Sequence, residues 1–357
     1  MKVGIRADAS KRIGTGHLRR CLSLARALRQ QGDDVVFVTR NLGIDSAAMI
    51  AEQDFGDIRV LPAASGDIAA DPAIPHADWT QVKQSRDIAE TIDALAGIAP
   101  DWVVVDSYGF DGRWHDGVRG ALSCRIAAVD DVPDRTMAVD LLIDHNYAAD
   151  HRAKYADCIA QDTRLLGGPS YALLGPRYAD AQRYRFSEDV RSVGVFMGGV
   201  DAGGYSLCAL EALRSAGFAG PVEIATTTAN PHLDELRQGA ERDHSVRLSI
   251  DLPDLAEFFA RHDLQIGAGG GASWERCCIG VPTLLVVVAE NQLAVAPRLA
   301  EEGIVALALD PRPATLASAL EPLLQNADKR AELARRSRAL VDGKGAARVA
   351  REMQCFA

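Results

Sequence analysis

The chain has 357 residues, 48% of them apolar, which is enough for two domains that each bury a core. Its formal net charge of -10 excludes a general affinity for nucleic acid or anionic membranes, while leaving room for one local basic pocket that holds phosphate. The seven cysteines (Cys21, Cys124, Cys158, Cys208, Cys277, Cys278, Cys355) are scattered without CxxC spacing. They point to reduced thiols in a cytoplasmic protein, with neither disulfides nor structural zinc.

The opening MKVGIRAD reads as a strand followed by Arg6 and Asp8, where a signal peptide needs an apolar run of about 7 to 15 residues. Ile13-Gly14-Thr15-Gly16-His17 then leads into an amphipathic helix. Gly14 and Gly16 allow a tight turn and close approach of a ligand, and the free N–H groups of a helix start attract anions. The third glycine of a dinucleotide fingerprint is missing, because the chain continues Leu18-Arg19-Arg20. His17 at the helix start is a candidate catalytic base, a neutral imidazole that accepts a proton; its alternative is a first-turn histidine bonded to a loop. Asp8 either orients that imidazole or caps the loop.

Short β-branched runs continue through DVVFVTR, IRVLP, DWVVVD, IAAVDD and LLID, alternating with helical patterns. VVVDSYG (103–109) ends a strand with Asp106, Ser107 and Tyr108 where ligand contacts belong. Tyr108 is either a group that holds a sugar hydroxyl or water, or an amphipathic rim tyrosine. DDVPDR (130–135) and DHNY (144–147) also end strands, and their aspartates read as turn formers and caps. The stretch 167–192 carries prolines, glycines, tyrosines and arginines but no sheet pattern. It separates an N-terminal domain, 1–182, from a C-terminal domain, 190–357.

A second series of strands follows in SVGVFMGG, VEIATT, VRLSI, LQIGAG, VPTLLVVV and IVALAL. The fold class is therefore α/β, two Rossmann-like domains with parallel sheets facing a central cleft, and ligands at the carboxyl ends of the strands. FMGGVDAGGYS (196–206) looks like a phosphate cradle built on Gly198 and Gly199, with Thr227 on the same nucleotide side. It lacks the GK[ST] ending of a P-loop, so it suits a diphosphate held by backbone N–H groups. IGAGGGASWERCCIGVPTLLVVVAENQ (266–292) gives another strand, a glycine run and a helix beginning near Ala272 or Ser273, a second anion site. Glu275, one turn inside, suits a ribose diol, or else is a structural acid at a helix start. Asn291 and Gln292 follow the next strand with amides that suit sugar substituents. VPTLLVVV falls short of the roughly 20 residues of a membrane span and reads as a buried strand. Residues 313–353 read as terminal helices, and KRAELARRSR within them as a solvated helix face.

Four motifs stand in order: R-x-D-x-S-x-x-I-G-x-G-H-x-x-R-C-L-x-L-A from Arg6, M-G-G-x-D from Met197, A-G-G-x-x-x-W-E from Ala268 and E-N-Q from Glu290. Together they resemble the UDP-2,4-diacetamido-2,4,6-trideoxy-β-L-altropyranose hydrolases of pseudaminic acid biosynthesis. The glycine-run segment is shared more widely with glycosyltransferases of the GT-B fold. The resemblance implies a GT-B fold, and since UDP leaves as a stabilised anion, one base at His17 suffices for an inverting attack of water on the anomeric carbon. It makes His17 the catalytic histidine and puts Tyr108 and Asn291 near the reacting sugar, Glu275 on the ribose, and Gly270, Gly271 and Ser273 near the diphosphate. It implies a small-molecule UDP-sugar as partner with no cofactor or metal, while the net charge speaks against nucleic acid, the short apolar runs against membrane insertion, and the lack of a heptad pattern fits a monomer. The helical tail after about 310 extends beyond the shorter members of that family. Two alternatives are a GT-B transferase with a hydroxyl acceptor in place of water and a nucleotide-sugar binding protein without turnover.

Overall fold

The computed structural model describes residues 1–64, 71, 74–180 and 184–356, divided into two compact units. The first comprises Met1–Gly175 together with the segment from Lys344 on, and the second is Pro176–Gly343. In the first unit, β1 (Lys2–Ala7), β2 (Asp34–Arg40), β3 (Ile58–Leu61), β4 (Trp102–Asp106), β5 (Arg125–Val129), β6 (Leu141–Asp144) and β7 (Arg164–Gly167) form one sheet. Its order is β3-β2-β1-β4-β5-β6-β7, and every pairing is parallel. The chain runs outward from β1 to β3 and returns to β4, so the order reverses between β1 and β4. Open α/β sheets bind their ligands at such a switch point.

Helices cover both faces of this sheet, which is why its strands are continuous apolar runs. Val3, Ile5, Trp102, Val104, Ala127 and Ile143 point to one face and pack on Leu18, Cys21, Leu24 and Leu28 of the helix Gly16–Gln30. Their alternates Val103, Val105, Ile126, Ala128 and Leu142 form the core of the other face with Trp114 and Tyr155.

The second unit repeats the plan with β8 (Val193–Phe196), β9 (Val222–Thr226), β10 (Val246–Ile250), β11 (Leu264–Ala268), β12 (Thr283–Val286) and β13 (Ala306–Ala308). The order is β10-β9-β8-β11-β12-β13, all parallel, with its reversal between β8 and β11. Among the described residues, no helix is long and apolar enough to cross a membrane.

The structure differs from the sequence reading in three places. β7 lies in RLLG, ending on the first residue of the stretch read as patternless. The helix Pro176–Asp180, expected in the first domain, belongs to the second, where the carbonyl of Tyr178 accepts from the Cys278 thiol. The C-terminal helix Gly345–Gln354, expected at the end of the second domain, packs in the first. Its Ala346, Val349, Ala350 and Met353 form an apolar stripe that completes the core against Leu18 and Ala25, and the Phe356 ring stands edge-on to Trp102 at 5.2 Å. Gly345 permits this docking, because a Cβ there would come 2.3 Å from the carbonyl oxygen of Ala172.

Met353 is fully buried in the first unit's core, so Met353→Ala should cost about 2 to 5 kcal/mol. Native-state amide exchange should show the lost protection in β1 and β4 while β8 and β11 keep theirs; loss confined to the second unit contradicts this placement.

Candidate active site

At the switch point of the first unit, Ala7 of β1 lies in register with Asp106 of β4, and the helix Gly16–Gln30 starts beside them. A turn closed by the Gly14 N–H to the Ser10 carbonyl (2.8 Å) sets the helix entry, with Gly14 at φ +72. A Cβ on Gly16 would meet nothing within 4 Å, so the backbone there stands open.

His17, Arg20 and Cys21 are spaced i, i+3, i+4, and therefore share one helix face. All three reach the same carboxylate. His17 Nδ1 lies 2.5 Å from Asp106 Oδ1. Arg20 grips both oxygens, Nε to Oδ2 at 2.6 Å and Nη2 to Oδ1 at 2.7 Å, and the Cys21 thiol lies 3.5 Å from Oδ2. Burial alone would raise the Asp106 pKa, but the charges and hydrogen bonds of Arg20 and His17 overcome it and hold the carboxyl far below the usual range. An ionised carboxylate only accepts, so Nδ1 carries the hydrogen and a neutral ring keeps its lone pair on Nε2. The His17 side chain is 11% exposed, against 0% for that of Asp106, so solvent reaches the ring and not the acid behind it.

Tyr108 stands edge-on to His17, ring centroids 4.9 Å apart, and its hydroxyl donates to Asp131. Asn146 donates to the same Asp131 through Nδ2. Burial would raise the Asp131 carboxyl, but Arg20 and the Tyr108 hydrogen bond outweigh this and keep it low. Trp79 completes an aromatic wall, 5.4 Å from Tyr108 and 6.4 Å from His17. Asp8 has another task. It accepts from Arg6 (2.6 Å), the Arg40 backbone N–H (2.7 Å) and Thr39, tying β1 to β2, and His17 is left to Asp106.

In the second unit the two glycine loops differ. After β8, the Asp201 carboxylate accepts from the backbone N–H groups of Tyr205 and Ser206, both at 2.9 Å, at the start of the helix Tyr205–Ser215. That helix start is thus occupied by the chain's own anion, while a Cβ on Gly198 would meet nothing within 4 Å. Thr227 donates to the Gly199 carbonyl at 2.8 Å and serves that loop.

After β11, the helix Gly271–Ile279 begins at Gly270, φ +104, with no side-chain cap and no acid in its first turn. Gly270 and Gly271 have open space where a Cβ would stand. The Ser273 N–H bonds the Gly270 carbonyl at 2.9 Å, and its hydroxyl accepts from Arg276. This uncapped start is where the sequence reading expects an anion. The half-buried Glu275 accepts a hydrogen bond from the Tyr178 hydroxyl, which in turn accepts from the Leu255 N–H at 3.3 Å. Gln292, expected on the sugar, braces the loop instead: Oε1 accepts from the Val288 N–H at 2.9 Å and Nε2 donates to the Gly269 carbonyl at 3.4 Å. Asn291 belongs to the 3-10 turn Glu290–Ala294, and its side chain lies outside the described residues.

His17, Gly16 and Tyr108 thus gather in the first unit, and Gly270, Gly271, Ser273 and Glu275 in the second. Sequence reasoning missed Arg20, Trp79, Tyr178 and Arg276, and it read Asp131 as a turn former where the structure sets it against Tyr108 and Asn146. Only Arg20 left a signal, its helical spacing from His17. Among the described residues, no group of three or more His, Cys, Asp or Glu is placed to hold a metal ion.

No protein-family model matches the chain. It is similar to the spore coat polysaccharide biosynthesis protein SpsG of Bacillus subtilis, 24% identical over 99% of this chain and 98% of that protein. It is also similar to the UDP-2,4-diacetamido-2,4,6-trideoxy-beta-L-altropyranose hydrolase of Campylobacter jejuni, 25% identical over 85% of this chain and 97% of that protein. Among solved structures, the S. aureus MnaA-UDP co-structure matches with a TM-score of 0.68 at 13% identity, covering 99% of this chain and 96% of that one. Other structures of like fold include epimerases and glycosyltransferases, and the fold of the chain is GT-B.

His145, buried beside this cluster with no partner for Nδ1, is pushed down from 6.5 to about 4 by burial, reinforced by Arg20. The unfolded chain takes up its proton below about pH 6.5 and the folded chain only near 4, so the stability this group confers is present above 6.5 and is lost as pH falls toward 4. The slope is about 1.4 kcal/mol per pH unit. Denaturant titrations from pH 4 to 6.5 should show that slope diminished in His145→Gln; parallel curves for the two proteins contradict the assignment.

Proposed function

We propose that the chain is a nucleotide-sugar hydrolase that cleaves the anomeric C–O bond of UDP-2,4-diacetamido-2,4,6-trideoxy-β-L-altropyranose, releasing UDP and the free sugar for pseudaminic acid synthesis. Similarity to the Campylobacter hydrolase over 85% of the chain supports this substrate class. The observation that carries the reaction type is the buried Asp106 at 2.5 Å from His17 Nδ1, which leaves Nε2 of a solvent-reached ring as the proton acceptor.

In this reading, Nε2 removes a proton from a water as the oxygen attacks the anomeric carbon on the face opposite UDP, inverting its configuration. Asp106 stabilises the imidazolium that forms, and Arg20 keeps Asp106 from taking that proton. Ordinary glycosidases need a carboxylic acid to protonate a poor alkoxide leaving group, whereas UDP departs as a stabilised anion. One base is then sufficient. Backbone N–H groups at Gly270, Gly271 and Ser273 hold the diphosphate and the charge that develops on it. Glu275 accepts from the ribose hydroxyls, Tyr108 lines the sugar beside His17, and Asn291 meets a sugar substituent. No cofactor or metal takes part, and the enzyme works as a cytoplasmic monomer.

Incubated with this UDP-sugar and no acceptor, the protein should release UDP and free sugar together, followed by NMR. His17→Leu should lower kcat about 10² to 10⁴-fold while the Kd for UDP stays within about twofold. A transferase releases no UDP until a hydroxyl acceptor is added, and wild-type turnover by the leucine variant removes His17 from the chemistry.

A further inference from the structure

Arg276 is 1% exposed and folds back beneath the start of its own helix. Its Nη2 donates to the Ala268 carbonyl at 2.7 Å and to the Ser273 hydroxyl at 3.2 Å. Nε and Nη1 are buried without a hydrogen-bond partner, and no other side chain among the described residues has two such nitrogens. Gly267 makes the room, since a Cβ there would stand 2.4 Å from Nη1. Burial lowers the Arg276 pKa to about 10, so the group remains a cation at neutral pH.

Other buried arginines of this protein have obvious compensation. Arg6 pairs with Asp8 and Asp87, Arg40 with Asp87 and Glu90, and Arg135 with Asp130 and Asp134. Arg330 lacks a carboxylate, but it donates to the carbonyls of Leu323 and Leu324 at the negative end of the helix Pro313–Gln325. Arg276 has neither kind of compensation. It forms no ion pair among the described residues; the neighbouring Glu275 accepts from Tyr178 and offsets the burial only in part, the Phe259 ring lies 5.8 Å from the guanidinium, and the helix end beside it is the positive one. A buried cation at a positive helix end is destabilising unless an anion arrives there.

We propose that Arg276 is a positioning residue, a buried positive charge that strengthens the binding of a diphosphate at Gly269–Gly271 without touching it. The identity of that diphosphate as part of a nucleotide rests on the function proposed above; the charge argument does not.

The test compares the full chain with Arg276→Met and Arg276→Lys, by thermal unfolding without ligand and by calorimetric titration with UDP, uridine and inorganic diphosphate. The methionine variant should unfold at the same or a higher temperature than wild type. It should bind UDP and inorganic diphosphate about 10- to 100-fold more weakly, with uridine unchanged, and lysine should restore much of the loss. Wild-type binding of inorganic diphosphate but not UDP, with the same loss in the methionine variant, upholds Arg276 and overturns the nucleotide reading. The proposal is overturned if the methionine variant is less stable without ligand, if UDP and uridine weaken equally, or if wild type binds neither anion.

Discussion

A carboxylate with no access to water organises the first unit. Asp106 ends a central strand, and its two oxygens meet a histidine, an arginine and a thiol presented by successive turns of one helix. Burying a lone carboxylate is very unfavourable, so the fold accommodates this one only because Arg20 neutralises it at 2.6 and 2.7 Å. The same ion pair locks the start of the Gly16–Gln30 helix onto the end of β4. Once Asp106 is fixed as an acceptor, the orientation of the His17 ring follows, as does the nitrogen left over for chemistry. The ion pair that holds this helix on β4 therefore also orients the His17 ring.

The second unit answers a different demand. Its two glycine-rich loops look equivalent in sequence, yet one helix start is occupied by Asp201 and the other has neither a cap nor an acid. Open backbone at Gly270 and Gly271, the Gln292 brace beneath Gly269, and the unpaired Arg276 behind them all suit an anionic ligand better than an empty loop. The first unit thus holds a histidine with one ring nitrogen free, and the second holds a buried cation beneath an uncapped helix start.

Much of this was legible in the sequence, and the failures have physical causes. Buried parallel strands announce themselves as β-branched runs, so both sheets were visible; β7 escaped because an edge strand of four residues carries too short a pattern. An apolar stripe says that the C-terminal helix is buried, but not in which core, and the nearer domain was the wrong choice. His17 was found from its place after a strand and two glycines. Its partner was not, because Asp8 and Asp106 both lie near the ends of adjacent strands and only the register, with Asp106 89 positions beyond His17, separates them. Gln292 and Asp201 turned to the backbone, a choice that local hydrogen-bond geometry makes and residue type does not reveal.

Proton removal by His17 requires that Nε2 be the free ring nitrogen. Nitrogen-15 NMR of the histidine side chains, at a pH where the ring is neutral, reads this directly. His17 should show a protonated Nδ1 and an unprotonated Nε2, with the preference lost in Asp106→Asn. A His17 ring protonated at Nε2 in the unaltered protein would rule out this role for His17.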